Sequence, residues 1–209
     1  EILTTFDFDP DLSGTTLETI QNNISADIAT FFQQNLNTFE AVFRRSTLLA
    51  RIDALDNGIL NSAATVKVQR RLVPTSSQLN TTSDYTVQFP VALATPDDKN
   101  HIITSTAVTF NGIQGCLIRN KLGSNTLQIL KADQTIAQDN IGSYSTSTGK
   151  VSITGLNISA FIGSEIKISA VPANQSTIKP LRNHIIRFDE VLSKATGTLD
   201  FQNTPVTLT

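Results

Sequence analysis

The chain has 209 residues, 39% hydrophobic and 16% charged, with a net charge of −2. Its length makes one large domain or two small ones. Its charged fraction lies well under the roughly 25% of ordinary soluble proteins, and Thr, Ser, Asn and Gln take the place of charge. Such a surface suits polar β-structure that packs against other protein. A net charge of −2 supplies no basic field to hold nucleic acid or an anionic membrane. No run of about 18 apolar residues predicts a membrane-spanning helix, and no signal-peptide pattern opens the sequence. The single cysteine, Cys116, excludes an internal disulfide framework and a multi-Cys zinc site; it is expected as a small buried hydrophobe. The absence of Met leads to the expectation of a piece cut from a longer polypeptide that continued before Glu1.

In chain order, residues 2–8 read as a short strand ended by Asp9-Pro10-Asp11. Leu17, Ile20, Ile24, Ile28, Phe31 and Phe32 recur at steps of three or four, which puts them on one helix face. Thr15 and Glu18 have capping-box spacing. The polar run 33–38 interrupts the pattern, Asn37 can cap a second helix with Glu40 three residues on, and Leu48, Leu49, Ile52 and Leu55 resume helical spacing. Asp56-Asn57-Gly58 is a stop signal. Beyond it the period changes to two, and residues 64–73 read as one strand.

From Tyr85 onward alternation dominates. Pro90 marks an edge or a strand end, Thr95-Pro96-Asp97-Asp98 a turn, and Asn111-Gly112 a hairpin. Gly112 and Gly149 are expected at positive φ. Residues 157–161 read as one helical turn, and residues 165–171 as the last clean strand, with Ile166, Ile168 and Ala170 on one face. Residues 193–209 read as a polar tail that docks or stays mobile. The expected class is α+β: an N-terminal helical pair packed on a small sheet, then a mostly antiparallel β meander or sandwich. The expected division is 1–84 as a helical α/β unit, 85–175 as an antiparallel β domain, and 176–209 as a docking segment and tail.

Chemistry-bearing residues do not group in the sequence. His101 and His184 stand far apart with no companion at metal spacing. Asp97-Asp98 is explained by turn chemistry, and no nucleophile elbow occurs. Gly112 and Gly115 lie in a hairpin rather than a strand-to-helix turn, so they make no phosphate cradle. Arg44-Arg45 and Arg70-Arg71 read as surface ion pairs. No catalytic residue, cofactor, metal or small-molecule substrate is expected.

Three segments carry a resemblance: residues 31–62 (FFQQNLNTFEAVFRRSTLLARIDALDNGILNS), 141–156 (IGSYSTSTGKVSITGL) and 166–189 (IKISAVPANQSTIKPLRNHIIRFD). In their order the chain resembles the C-terminal portion of the baseplate wedge protein of T-even-type contractile-tailed phages, a relative of the baseplate J-like proteins. The resemblance implies a non-enzymatic structural protein of the virion's tail baseplate, assembled in the host cytoplasm. Such a protein joins wedges into the ring around the tail hub, self-associates, with a homodimer expected, and binds other wedge proteins. The alternative, from another class, is a glycan-binding or adhesin-like β module of a tail fibre, which the long helical pattern disfavours; a hydrolase using scattered Asp residues is a third.

The residues themselves suggest where contacts form. Phe31 and Phe32 are adjacent and point about 100° apart on a helix, so one can face the chain's own sheet and the other outward. Val42 and Phe43 repeat this arrangement. Phe31, Phe32, Val42 and Phe43 are therefore candidate interface residues, flanked by the neutral Asn22, Asn23, Gln33 and Gln34, which are cheaper to desolvate than charges. The competing reading is that the rest of the chain covers both faces.

Overall fold

A computed structural model describes residues 1–201. The chain opens with β1 (Ile2–Phe8), α1 (Leu17–Asn35), β2 (Phe43–Arg44), α2 (Arg45–Asp53) and β3 (Ile59–Val66). Ten strands follow: β4 (Val68–Leu72), β5 (Ser83–Gln88), β6 (Ile103–Ser105), β7 (Val108–Phe110), β8 (Ile113–Asn120), β9 (Thr126–Leu130), β10 (Ile136–Tyr144), β11 (Lys150–Leu156), β12 (Ile158–Phe161) and β13 (Ile166–Ala170). The chain closes with β14 (Thr177–Ile178) and β15 (Lys194–Leu199). Contacts divide it into one unit of residues 1–66 with the segment from Gln175 onward, and a second unit of residues 67–174.

In the first unit, β1 lies between an antiparallel β3 and a parallel β15. Helix α1 forms where the three-to-four spacing placed it, and buries Ile20, Ile24, Ile28, Phe31 and Phe32. Its cap is Thr16, whose hydroxyl accepts from the Thr19 N–H at 3.2 Å, one residue later than the Thr15–Glu18 pair suggests. The extension predicted from Asn37 does not form. Glu40 takes φ 63°, which a helix excludes, Phe39 is 70% exposed, and Phe43 enters β2. The second helix starts only at Arg45 and buries Leu48 and Ile52. A bidentate pair from Arg51 Nε and Nη2 to Asp27, at 2.5 and 2.6 Å, ties α2 to α1.

The stop at Asp56-Asn57-Gly58 forms, but its glycine serves close approach rather than positive φ. Asp56 Oδ1 accepts from the Gly58 N–H at 2.7 Å, and the Gly58 carbonyl accepts from Asp9 at 2.8 Å. A Cβ at position 58 would stand 2.6 Å from the Asp9 carbonyl oxygen and 2.7 Å from the Phe8 ring. Gly197 on β15 plays a similar part. A Cβ there would meet Leu17 and Phe6, each at 2.5 Å, so its absence lets α1 settle on the sheet.

The second unit is one 10-stranded sheet, with a main path of β4-β13-β6-β8-β9-β10-β11-β5 and β7 and β12 attached beside β8. Its pairings are antiparallel. Register shifts in β10 and β11 interrupt the ladders, and such irregularities bend a strand and raise its twist. The core lies within the curve of the sheet, with Ile118, Ile129, Val151, Ile153, Ile166 and Ile168 fully buried. Cys116 is buried among them as expected, its thiol pKa pushed up by burial.

The expected α+β class is therefore corrected: the protein is mostly β, 41% strand against 15% helix, with a nearly closed barrel-like sheet, and a helical pair on a sheet fits only in part. The physical reasons are local and then global. Residues 157–161 are strand β12, paired to β7, rather than a helical turn. The strand read over 64–73 breaks at Lys67, so β3 joins one sheet and β4 another. Strands expected as a meander or sandwich run as one 10-stranded sheet rather than two layers, with β8-β9-β10-β11 following in chain order. Of the predicted tail, Lys194–Leu199 forms β15, and residues 202–209 lie outside the described residues.

Candidate interaction surface

Of the four candidate interface residues, Phe31, Phe32 and Phe43 come together in the first unit. The Phe31 and Phe32 rings meet edge to face, centroids 5.8 Å apart at 86°. Phe32 stacks on Phe43 at 5.6 Å and on Phe188 at 4.8 Å. Phe31, Phe32 and Phe43 are 5%, 7% and 1% exposed, and Val42 is half-buried. The cover comes from a segment remote in sequence. The β14–β2 pair sets Ile178 opposite Phe43, the Arg45 N–H donates to the Ser176 carbonyl at 3.0 Å, and Ile178, Ile186 and Phe188 pack against the cluster. The sequence holds no signal for the docking site of Ile186 and Phe188, because residues 179–193 follow neither helical nor strand periodicity.

Beside this cluster runs a groove of about 490 Å³, lined by Thr30, Phe32 and Gln33 from α1 and by Ile186, Arg187 and Phe188 from the returning segment, with Glu190 at its rim. Asn22, Asn23, Gln33 and Gln34 are all exposed, so the neutral flank predicted for α1 faces outward. The groove thus combines an aromatic floor with an uncharged α1 wall and an opposite wall that carries Arg187 and Glu190, a lining that suits protein contact.

Residues singled out for chemistry stay apart. Among the described residues, no group of three or more His, Cys, Asp and Glu is placed to hold a metal. Asp97 Oδ1 accepts from the N–H groups of Lys99 and Asn100 at 2.5 and 2.9 Å, the turn chemistry read from its sequence, and these bonds hold its pKa below the usual range. Arg71 pairs with Glu165 at 3.3 Å, while Arg45 donates to the Ala64 carbonyl at 3.4 Å instead of forming an ion pair there. Tyr144, buried in the second unit, has its phenol pushed up to about 12 by desolvation.

His184 is exposed. His101 is half-buried, with Nδ1 2.6 Å from the Asn120 carbonyl. Burial, with smaller contributions from Arg119 and Lys67, lowers its pKa from 6.5, against the opposing pull of the Asn120 bond. A depressed pKa means that the unfolded chain takes up the proton first. The stabilisation from a neutral His101 is complete above about pH 6.5 and is lost as pH falls through its lower folded value. Urea unfolding followed across pH 7.5 to 5 is expected to show this decline, and His101→Gln is expected to flatten that part of the profile.

These are features of a contact protein: two β-rich units, a groove floored by stacked aromatics and an uncharged helix flank. Residues 7–71 match the family model described as "Baseplate structural protein gp6, C-terminal domain III". The match supports a phage baseplate structural protein, situated in the tail baseplate of the virion and associated with other baseplate components. No curated protein matches the chain. The matched stretch takes in the last two residues of β1, both helices, β2, β3 and most of β4, so it includes the α1 side of the groove.

Proposed function

We propose that this chain is a baseplate wedge subunit of a contractile-tailed phage. It joins neighbouring wedges into the ring around the tail hub, associating with a second copy of itself and with other wedge proteins. The observation that carries this reading is the family match over residues 7–71. The low charge and the neutral flank of α1 support it, because large protein–protein contacts deplete charge at their centres.

A ring subunit needs at least two different contact surfaces. In this reading, the flank of α1 around the groove, where Phe32 lines the wall with Phe31 and Phe43 packed against it and the half-buried Val42 stands next to Phe43 in the chain, receives a neighbouring wedge protein. Analytical ultracentrifugation over a wide concentration range is the direct test of self-association, and a concentration-dependent dimer is the expected result. For the second contact, Val42→Asp is expected to weaken cosedimentation with isolated wedge proteins of the same phage while leaving circular dichroism unchanged. A wild-type chain that stays monomeric at every concentration and binds none of those proteins would overturn the reading.

A further inference from the structure

The sheet of the first unit runs β15-β1-β3 and so has two edges. Side chains occupy one end of the β3 edge: Arg45 Nη1 donates to the Ala64 carbonyl at 3.4 Å, and Gln175 Oε1 accepts from the Val66 N–H at 2.9 Å. These bonds fix which backbone groups point where. Even-numbered residues of β3 face away from the sheet, so Asn61, Ala63 and Thr65 face their β1 opposites Asp7, Thr5 and Leu3. Thr4, Phe6 and Phe8 are left to face β15, as the bond from the Asp200 N–H to the Phe8 carbonyl at 2.9 Å requires. On β15, then, Lys194, Thr196 and Thr198 bond toward β1, and Ala195, Gly197 and Leu199 turn their N–H and C=O groups outward.

Among the described residues no hydrogen bond reaches those outward groups. Thr196, Thr198 and Leu199 are exposed. The strand carries no proline and no bulge, and its one charge is Lys194, so it lacks most of the devices that blunt a free edge.

We propose that β15 is the surface through which two copies of this chain join, the strands pairing antiparallel across a twofold axis into one continuous sheet. This rests on the self-association reading above and names its surface. A second copy is the occupant because the edge is its own complement. With Gly197 opposite Gly197, Ala195 of each copy faces Leu199 of the other, so outward groups meet outward groups, as an antiparallel ladder requires. A slip of one residue would set outward groups against inward ones.

The same register places Lys194 of one copy opposite Asp200 of the other, twice, with Thr196 opposite Thr198 between them. Opposite charges and Thr–Thr pairs are both cross-strand pairs that stabilise a ladder. They lie on the face away from α1, since Ala195 is buried and Gly197 sits under Leu17. A carboxylate accepts several donors, so Asp200 can hold Lys194 alongside its contacts within its own chain.

The test is sedimentation equilibrium and circular dichroism on the wild type, Leu199→Pro, Lys194→Asp, and the double variant Lys194→Asp/Asp200→Lys. Leu199→Pro removes an outward N–H and leaves the β1 ladder its bonds. It is expected to raise the dimer Kd at least tenfold with an unchanged spectrum. Lys194→Asp is expected to weaken the dimer, and the double variant to restore it. If Leu199→Pro alters the spectrum, the charge variants decide. A dimer indifferent to Lys194→Asp, or not restored in the double variant, overturns the β15 edge and leaves self-association standing. A wild type monomeric at every concentration overturns both.

Discussion

Phe43→Asp is expected to unfold the first unit rather than to detach a partner. Phe43 is 1% exposed, stacked on Phe32 and edge-on to Phe31, with Ile178 opposite it across β14. Truncating a buried phenylalanine costs about 3–5 kcal/mol, and burying a carboxylate without a cation adds several more. The sum approaches the about 5–15 kcal/mol by which a whole domain is stable. Phe32→Asp is expected to follow, because its ring is held between Phe43 and Phe188. Val42→Asp, half-buried, is expected to leave the fold intact. Far-UV circular dichroism and urea titration on the three variants separate these outcomes. A folded Phe43→Asp protein would mean that the aromatic cluster is not the core of this unit.

Gly149→Val is expected to cost more than Gly112→Val, although both glycines have positive φ, at 71° and 76°. Left-handed backbone costs a residue with a Cβ about 1–2 kcal/mol, a penalty that both variants share. The surroundings differ. At Gly112, at the tip of the β7–β8 hairpin, a Cβ meets nothing within 4 Å. At Gly149 it would stand 2.3 Å from the Val91 carbonyl oxygen and 2.8 Å from that of Phe89. Neither oxygen belongs to a flexible side chain, so backbone must move, and the Phe89 N–H bond to the Gly149 carbonyl at 2.9 Å goes with it. The expected losses are about 1–2 kcal/mol at Gly112 and about 2–5 kcal/mol at Gly149, with overpacking as the added cost. Chemical denaturation of both variants measures the difference; equal losses would contradict the close approach at Gly149.

The groove and the β15 edge also bear on how a baseplate subunit adds neighbours in order. The groove is walled on one side by residues 186–190, which hold no regular secondary structure. Segments without a ladder open locally at lower cost than sheet strands. A neighbour seated there therefore binds a surface partly built by a loop, whereas an added β-strand meets a ladder already fixed by β1.

Local features of this fold were legible in the sequence. The three-to-four spacing of Ile20, Ile24, Ile28 and Phe31 marks α1 because a helix repeats its face at that period. Asn111-Gly112 marks its hairpin because both residues tolerate positive φ, and both adopt it, at 49° and 76°. The turn at Asp97, the burial of Cys116 and the inward row Ile166, Ile168 and Ala170 follow from side-chain chemistry or a period of two. The exposed neutral flank of α1 was legible for the same reason.

What only tertiary structure decided was which distant segments meet. Residues 194–199 (KATGTL) alternate weakly and carry little apolar weight; they become a strand because β1 offers a ladder. Lys67 carries no break signal, yet the strand divides there because β3 and β4 find partners in different sheets. Phe31 and Phe32 look two-sided from their spacing. Their second side is filled by Phe43 and Phe188, one brought by a turn and the other by a return from far along the chain. Periodicity reports which side of an element is apolar; what covers that side depends on pairing between remote segments, which no local pattern encodes.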